Sequence, residues 1–322
     1  MTNAENTGLV DSKKVMDSVI PSQTRSAPTL TPQNLQQMRS TLYDASKYSL
    51  QLPSEIWPEL KKDILSRTDK PRYPIGLKSL DIVLWGLHKK QIMAIGARTS
   101  QGKTAFSLFL AKRMVEHSQK VVYFSLEMSR GQMLERLFTQ VARINNRDLR
   151  QGMAKDKVLD NESLFKTWMG ASKLLIDDQY GYEFNNIVEI LHAVRPDFVF
   201  IDYIQMISIK GHKNKLEAIE EYVRRLMQLA IELNFGAVIV SQINRSGVDG
   251  AEMHHFKHAG VLEEHPDTVL TLKWDWSEET PYKFIVDVKK QRHGEPKNGI
   301  EIQFIPQHSI FEEKPEPKGD MF

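Results

Sequence analysis

The chain has 322 residues, and 43 Lys and Arg against 41 Asp and Glu leave a formal net charge of +2. With 41% hydrophobic and 26% charged residues it can bury a sizeable core, which excludes collagen-like and wholly disordered chains. It contains no cysteine, which excludes disulfides, thiol catalysis and cysteine-ligated zinc. No apolar run approaches the roughly 20 residues of a membrane span, and the N-terminus does not resemble a secretory signal. We therefore expect a cytoplasmic protein without membrane contact.

The two ends of the chain differ from its middle. Residues 1–30 are polar and have no apolar period, which predicts a flexible tail. Thr31 and Pro32 are typical of a helix start, and a second short helix is predicted from about Pro58 to Ser66. We interpret residues 31–70 as a helical linker or docking arm, and residues 314–322 as a second flexible tail.

Between residues 71 and 313, short β-branched and aromatic runs alternate with amphipathic helical stretches. Strands are predicted at 91–96, 121–126, 173–177, 198–202, 237–241, 268–274, 283–290, 301–305 and 309–313. Helices are predicted at 104–117, 130–141, 185–194 and 216–233. This alternation indicates an α/β fold with a mostly parallel sheet. Turn-rich segments join the last three strands, which predicts an antiparallel extension at the C-terminal end.

The strongest motif is a phosphate-binding loop. Residues 96–104 read Gly-Ala-Arg-Thr-Ser-Gln-Gly-Lys-Thr and stand between a predicted strand and a predicted helix, as such a loop requires. Backbone N–H groups of the loop bind the phosphates at a helix N-terminus, the lysine neutralises them, and the threonine hydroxyl holds Mg²⁺. The predicted nucleotide-binding residues are Ala97, Arg98, Thr99, Ser100, Gln101, Gly102, Lys103, Thr104 and Ala105.

Three polar residues follow other predicted strands and are candidates for the same site. Asp202 closes an apolar run, so it can hold the metal together with Thr104, or it can cap the following turn. Glu127 follows the strand at 121–126 and can orient an attacking water, or it can be an ordinary surface carboxylate. Gln242 follows the strand at 237–241, and its side-chain amide can contact the γ-phosphate, although on its own this is a weak inference.

Several segments together resemble the hexameric replicative DNA helicases of the DnaB type, within the RecA-like ATPases. They are AIGARTSQGKTAF, VVYFSLEM, FVFIDYIQMI, VIVSQINRS and VKKQRHG, in the order of the family. The resemblance covers roughly residues 72 to 313. It implies a RecA-like fold, hydrolysis of ATP with Mg²⁺, translocation on single-stranded DNA, and a homo-oligomeric ring that is typically a hexamer. A loader or a primase is a further partner that it implies.

The resemblance also assigns roles to individual residues. It makes Glu127 the catalytic glutamate and Gln242 the γ-phosphate sensor, alongside Lys103. It makes Lys290 and Arg292 a lysine and an arginine finger that act on the neighbouring subunit's nucleotide, whereas the residues alone favour a solvated basic hairpin tip. The residues that it implies for DNA binding are Arg245, Lys257, His258, Gly260, Lys213 and Lys215. Here residues 257–260 depart from the family's usual Arg-Glu-Ser-Gly.

A second departure is at the front of the chain. Helicases of this type carry a substantial helical N-terminal domain that forms a collar, and residues 1–70 are too few and too polar for it. Two other functions therefore stay open: a recombinase-like or circadian-clock-type ATPase that does not unwind DNA, and an accessory or loader paralogue. The Ser-Leu-Glu-Met and Lys-Gln-Arg segments favour the helicase over the first of these. Against the second stands the intact catalytic set, which comprises Lys103, Thr104, Glu127, Asp202 and Arg292.

Overall fold

The computed structural model describes residues 31–33, 52–66, 72–243, 262 and 264–314. The chain divides into two units, Met1–Asp69 and Lys70–Phe322. In the first unit, helix α1 (Pro53–Ser66) begins earlier than predicted and includes Pro58. Of the helix predicted from Thr31, only residues 31–33 are described, and Pro32 and Gln33 are helical; the rest lies outside the described residues. So do the predicted tails, apart from Lys314.

The second unit begins with a short helix and then alternates strands with helices. In chain order its first elements are α2 (Lys78–Leu84), β1 (Ile92–Ala97), α3 (Lys103–Glu116), β2 (Val121–Ser125), α4 (Arg130–Ala142), α5 (Asn146–Arg150), α6 (Lys155–Ala171) and β3 (Leu174–Asp177). They are followed by α7 (Phe184–Val194), β4 (Phe198–Asp202), a 3-10 turn (Ile204–Met206), α8 (Lys215–Leu233), β5 (Gly236–Gln242), β6 (Thr268–Trp274), β7 (Lys283–Gln291), β8 (Lys297–Ile305) and β9 (Ile310–Glu313).

The described strands form one nine-stranded sheet in the order β3-β2-β4-β5-β1-β6-β7-β8-β9. The pairings from β3 to β6 are parallel, whereas β6–β7, β7–β8 and β8–β9 are antiparallel. The predicted α/β fold with its antiparallel C-terminal extension is therefore confirmed. No helix within the described ranges is long and apolar enough to cross a membrane.

Some elements differ from those predicted from the sequence. Helix α6 is absent from the predicted elements, because Phe165 is its one buried residue and Leu159 and Leu164 remain exposed. With Phe165 buried and, of its other apolar residues, only Val158 and Trp168 partly buried, the helix leaves a weak 3.6-residue period in the sequence. Strand β8 begins at Lys297, four residues before its predicted start, with exposed residues that pair with β7 through backbone bonds rather than apolar side chains.

The register of the parallel strands brings their carboxyl ends to one edge of the sheet. Ser125 of β2 pairs with Asp202 of β4, and Ala97 of β1 pairs with Gln242 of β5. Ligands of open parallel sheets bind outside the carboxyl ends of the strands. This edge therefore carries the candidate site.

Aromatic packing fixes helix α3 against the antiparallel strands. The Phe106 ring stacks on Phe284 at 6.1 Å between centroids and meets Phe311 edge-on at 5.1 Å. Phe304 of β8 stacks on Phe311 at 4.5 Å. Helices α7 and α8 pack against the other face of the sheet in a second buried cluster. The extension thus supports the helix that begins at the phosphate loop.

Candidate nucleotide-binding site

The phosphate loop connects β1, which ends at Ala97, to α3, which begins at Lys103. Gly102 is the residue before the helix and has a φ of 77°, in the left-handed region that favours glycine. A Cβ atom there would lie 3.2 Å from the Phe284 ring. Ser100 also has a positive φ, of 63°. The loop conformation therefore depends on glycine at position 102 for both backbone and packing reasons.

Hydrogen bonds connect this loop to itself and to the strands on either side. Lys103 Nζ donates to the carbonyl of Arg98 at 3.1 Å. The Gln242 side-chain amide at the end of β5 donates to the Thr99 hydroxyl at 3.0 Å. On the other side, the Trp274 backbone N–H donates to the side-chain oxygen of Gln101 at 2.6 Å.

Asp202 has the surroundings of a metal ligand. It is 2% exposed, the Tyr123 hydroxyl donates to its Oδ2 at 3.1 Å, and the Thr104 hydroxyl also bonds to it. Burial raises the pKa of Asp202, although these two hydrogen bonds oppose the shift. Its Oδ1 is buried and has no hydrogen-bond partner in the described part of the chain. A buried carboxylate oxygen without a partner, beside a threonine hydroxyl, fits the oxygen ligands that Mg²⁺ prefers.

Asp202 is the last member of a chain of hydrogen bonds that no sequence motif predicts. Ser107 Oγ and the Tyr123 hydroxyl lie 2.6 Å apart inside the core, and Tyr123 in turn bonds to Asp202. These residues come from α3, β2 and β4, so no local pattern connects them. The one available signal in the sequence is Tyr123, whose hydroxyl stands in the middle of a mainly apolar strand.

Glu127 lies beyond the end of β2 and is exposed. The backbone N–H of Leu126 donates to the Asp202 carbonyl at 2.8 Å, which extends the contact between the two strand ends beyond their ladder. Burial lowers the pKa of Lys103, while the charges of Asp202 and Glu127 oppose that shift. The lysine and both carboxylates therefore interact within one site.

Lys290 and Arg292 lie elsewhere, at the end of β7. The Arg292 guanidinium forms an ion pair with Asp267 at 2.6 Å, and Lys290 Nζ donates to the carbonyl of Glu264 at 2.7 Å. Burial lowers the pKa of Lys290, and the nearby charge of Arg292 lowers it further. This cationic pair is separate from the phosphate loop of its own chain.

Only part of the predicted DNA-binding set falls within the described residues. Lys213 is exposed and Lys215, the first residue of α8, is half-buried. They follow β4 and the 3-10 turn, beyond the carboxyl end of the strand that carries Asp202. The other four predicted residues, Arg245, Lys257, His258 and Gly260, lie outside the described residues.

The phosphate loop between β1 and α3, with a buried aspartate and an amide at the ends of neighbouring parallel strands, defines a RecA-like ATPase domain. Residues 73–313 match the family of the DnaB-like helicase C terminal domain, and the chain belongs to that family. The resemblance seen in the sequence is thereby confirmed.

The chain is also similar to a probable plasmid replicative DNA helicase of Chlamydia trachomatis, with 30% identity over 249 residues. The replicative DNA helicase DnaC of Bacillus subtilis is 28% identical over 254 residues.

Solved structures agree with this fold. One isolated ATPase domain superposes with a TM-score of 0.76 at 24% identity, covering 83% of this chain and 100% of that one. A DnaB-like replicative helicase, solved in a study of its interactions with primase, has a TM-score of 0.75 at 25% identity and covers 82% of this chain and 69% of that one. The aligned region is 74% of this chain and only 54% and 56% of the Chlamydia and Bacillus proteins, so the chain spans about half the length of these relatives.

Proposed function

We propose that this protein is an ATP-driven DNA helicase motor that assembles as a ring, typically a hexamer, and moves along single-stranded DNA in bacterial, phage or plasmid replication in the cytoplasm. Membership of the DnaB-like family supports this function. Relatives named as replicative helicases support it as well. The proposal includes a loader or a primase as a partner, and the primase is suggested by the similar helicase whose interactions with primase were studied.

The proposed chemistry follows from the site at the carboxyl ends of the strands. Residues 97–105 bind the triphosphate, and Lys103 neutralises its terminal charges. Thr104 and Asp202 hold Mg²⁺, which neutralises charge on the β- and γ-phosphates when it is bound. Glu127 is exposed beside them, so it can reach a water in front of the γ-phosphate and act as general base. Gln242 contacts the loop at Thr99 and senses the γ-phosphate.

The position of Arg292 is the observation that carries the ring assembly. Its backbone N–H bonds to Asp267, which is level with Ile92 at the amino end of β1. The phosphate loop begins after Ala97, five residues further along β1, and at about 3.3 Å per residue that is roughly 16 Å away. The guanidinium is held at Asp267, so it is too far from its own chain's nucleotide. An arginine at a strand end opposite to the phosphate loop suits action on a neighbouring subunit.

Helix α1 gives the proposed ring a second contact. Its large apolar residues, Ile56, Trp57, Leu60, Ile64 and Leu65, are all exposed. An exposed apolar helix face is typical of an interaction site. We therefore propose that α1 docks on another copy of the chain.

DNA contacts are proposed to be electrostatic. Lys213 and Lys215, with Arg245, Lys257, His258 and the backbone at Gly260, bind phosphates of one strand. Such contacts carry no sequence information and weaken steeply with salt.

The test measures ATPase activity, assembly and strand separation with the full chain. We expect single-stranded DNA to stimulate hydrolysis severalfold, rings to form with a slowly hydrolysed ATP analogue, and a forked duplex to be unwound by wild type but not by the Lys103→Ala variant. DNA affinity should fall by at least tenfold between low and moderate salt, yet differ little between a sequence and its scramble. Filaments in place of rings, with no unwinding, would favour the recombinase-like function and overturn the proposal.

A further inference from the structure

Asp267 connects the amino end of β1 to the proposed arginine finger. It is the residue before β6 and is 5% exposed. Its backbone N–H donates to the Ile92 carbonyl at 2.9 Å, and its Oδ2 accepts from the Ile92 N–H at 2.9 Å. Two hydrogen bonds therefore fix Asp267 to the first residue of the central strand β1.

The same residue also binds Arg292 twice. The Arg292 backbone N–H donates to the Asp267 carbonyl at 2.8 Å, and its guanidinium contacts Oδ1 at 2.6 Å. The arginine side chain is 49% exposed, whereas the aspartate side chain is 6% exposed. Part of the guanidinium is thus fixed on a buried carboxylate while the rest remains accessible to another molecule.

Neighbouring contacts restrain the end of β7 further. The Thr268 hydroxyl donates to the Gln291 side-chain oxygen at 2.7 Å, and Lys290 donates to the Glu264 carbonyl. The segment on each side of Asp267 is therefore bonded to the segment that carries the two cations. This arrangement defines the direction in which the Arg292 side chain points.

We propose that Asp267 is a positioning residue, which holds the Arg292 guanidinium in the orientation needed at the γ-phosphate of a neighbouring subunit. This inference rests on the proposed function, because it requires Arg292 to act in trans. Asp267 does not touch the nucleotide. Its effect on hydrolysis comes through the arginine, since a misplacement of about 1 Å in a reacting group can slow a reaction by about a hundredfold.

The decisive variant is Asp267→Asn. Asparagine keeps a side-chain oxygen that can accept the Ile92 N–H, but it loses the charge that holds Arg292. We expect kcat for ATP to fall by about tenfold or more, while the affinity for a fluorescent ATP analogue stays within about twofold, because the variant's own pocket is intact. The double variant Asp267→Asn/Arg292→Ala should be no slower than Arg292→Ala alone, since a residue that acts only through Arg292 has nothing left to position.

A matched control removes the same kind of ion pair elsewhere. Arg143 pairs with Glu312 at 2.8 Å, and Glu312→Gln should leave both kcat and ATP binding unchanged.

Mixed rings give a second measurement. Lys103→Ala subunits have sound fingers, so they should restore the ATPase activity of Asp267→Asn subunits beside them. If Asp267→Asn does not fold, as judged by its thermal transition, Asp267→Glu takes its place: it retains the charge but displaces the guanidinium, and we expect the same loss and the same rescue.

The outcomes separate the two proposals. Wild-type hydrolysis by Arg292→Ala would reject the finger in trans, and this inference with it. If Arg292→Ala hydrolyses ATP slowly but the Asp267 variant has an unchanged kcat, only the positioning role would be overturned. A double variant much slower than Arg292→Ala would do the same, because it would assign Asp267 a structural effect independent of the arginine.

Discussion

The Gln242 side-chain amide donates a hydrogen bond of 3.0 Å to the Thr99 hydroxyl, which joins the end of β5 to the phosphate loop. The two residues are 143 positions apart in the chain, and the parallel register of β1 and β5 brings them together. Gln242 also precedes the segment that carries Arg245 and Lys257, which we propose to bind DNA. This contact therefore connects the phosphate loop to the strand end that precedes the proposed DNA-binding segment in the chain.

Removing the Gln242 amide should uncouple DNA from hydrolysis. We expect Gln242→Ala to bind ATP within about fivefold of wild type, because one hydrogen bond contributes only about 1 kcal/mol, but to lose most of the stimulation by single-stranded DNA. Steady-state ATPase rates with and without DNA measure this. Thr99→Val is the matched partner, since it removes the hydroxyl that accepts this hydrogen bond and keeps the size of the side chain. Full stimulation in both variants would contradict the coupling role.

Substitutions at Glu127 and at Lys103 should reduce ATP hydrolysis in different ways. Glu127→Gln keeps the size of the side chain but removes the proposed base, so we expect nucleotide binding to persist while turnover falls by about a hundredfold or more. Lys103→Ala, in contrast, removes a charge that we propose to contact the phosphates in the ground state, and it should abolish hydrolysis. Binding of a fluorescent ATP analogue and single-turnover hydrolysis distinguish the two effects. Hydrolysis at the wild-type rate by Glu127→Gln would remove Glu127 from the base position.

Gly102→Ala tests the geometry of the loop. Alanine at a φ of 77° costs roughly 1–2 kcal/mol, and its Cβ would press on Phe284 at 3.2 Å. We expect ATP affinity to fall by at least tenfold while the thermal transition drops by only a few degrees. Gly152→Ala is a control for backbone strain alone, because Gly152 has a φ of 71° and nothing within 4 Å of its Cβ position. Equal ATP affinity in wild type and both variants would show that the loop adapts.

The sheet could be predicted well because its buried strands are continuous apolar runs. β4 and β6 have their predicted bounds, and the predicted helices that lie between parallel strands are found within two residues. Helix α6 could not be predicted because most of its apolar residues are exposed. Burial, on which the periodicity of apolar residues depends, is complete there only at Phe165.

For the candidate site, the sequence could identify motif residues but not their partners. Lys103, Asp202 and Gln242 stand in local patterns that strand ends and a glycine-rich loop make recognisable. The partner of Arg292 is different: Asp267 has no motif of its own, and the two meet only because β6 and β7 pair antiparallel. Contacts of this kind depend on register, which a single sequence does not reveal.

The proposed ring requires Arg292 to complete the nucleotide site of a neighbouring copy. An Arg292→Ala subunit has a sound pocket and a defective finger, while a Lys103→Ala subunit has a defective pocket and a sound finger. Each variant alone should hydrolyse ATP poorly. For Arg292→Ala we expect kcat to fall by at least about a hundredfold, because an arginine finger contributes at least that much to kcat.

Mixing the two variants is the most direct measurement. In mixed rings, verified by pull-down on a tag carried by one variant, each Arg292→Ala pocket that meets a Lys103→Ala neighbour receives a working finger. Basal ATPase without DNA avoids any requirement for sequential hydrolysis around the ring. We expect activity above that of either variant at intermediate ratios, greatest near equal amounts. Activity that never exceeds the sum of the separate variants, in rings shown to be mixed, would contradict the account.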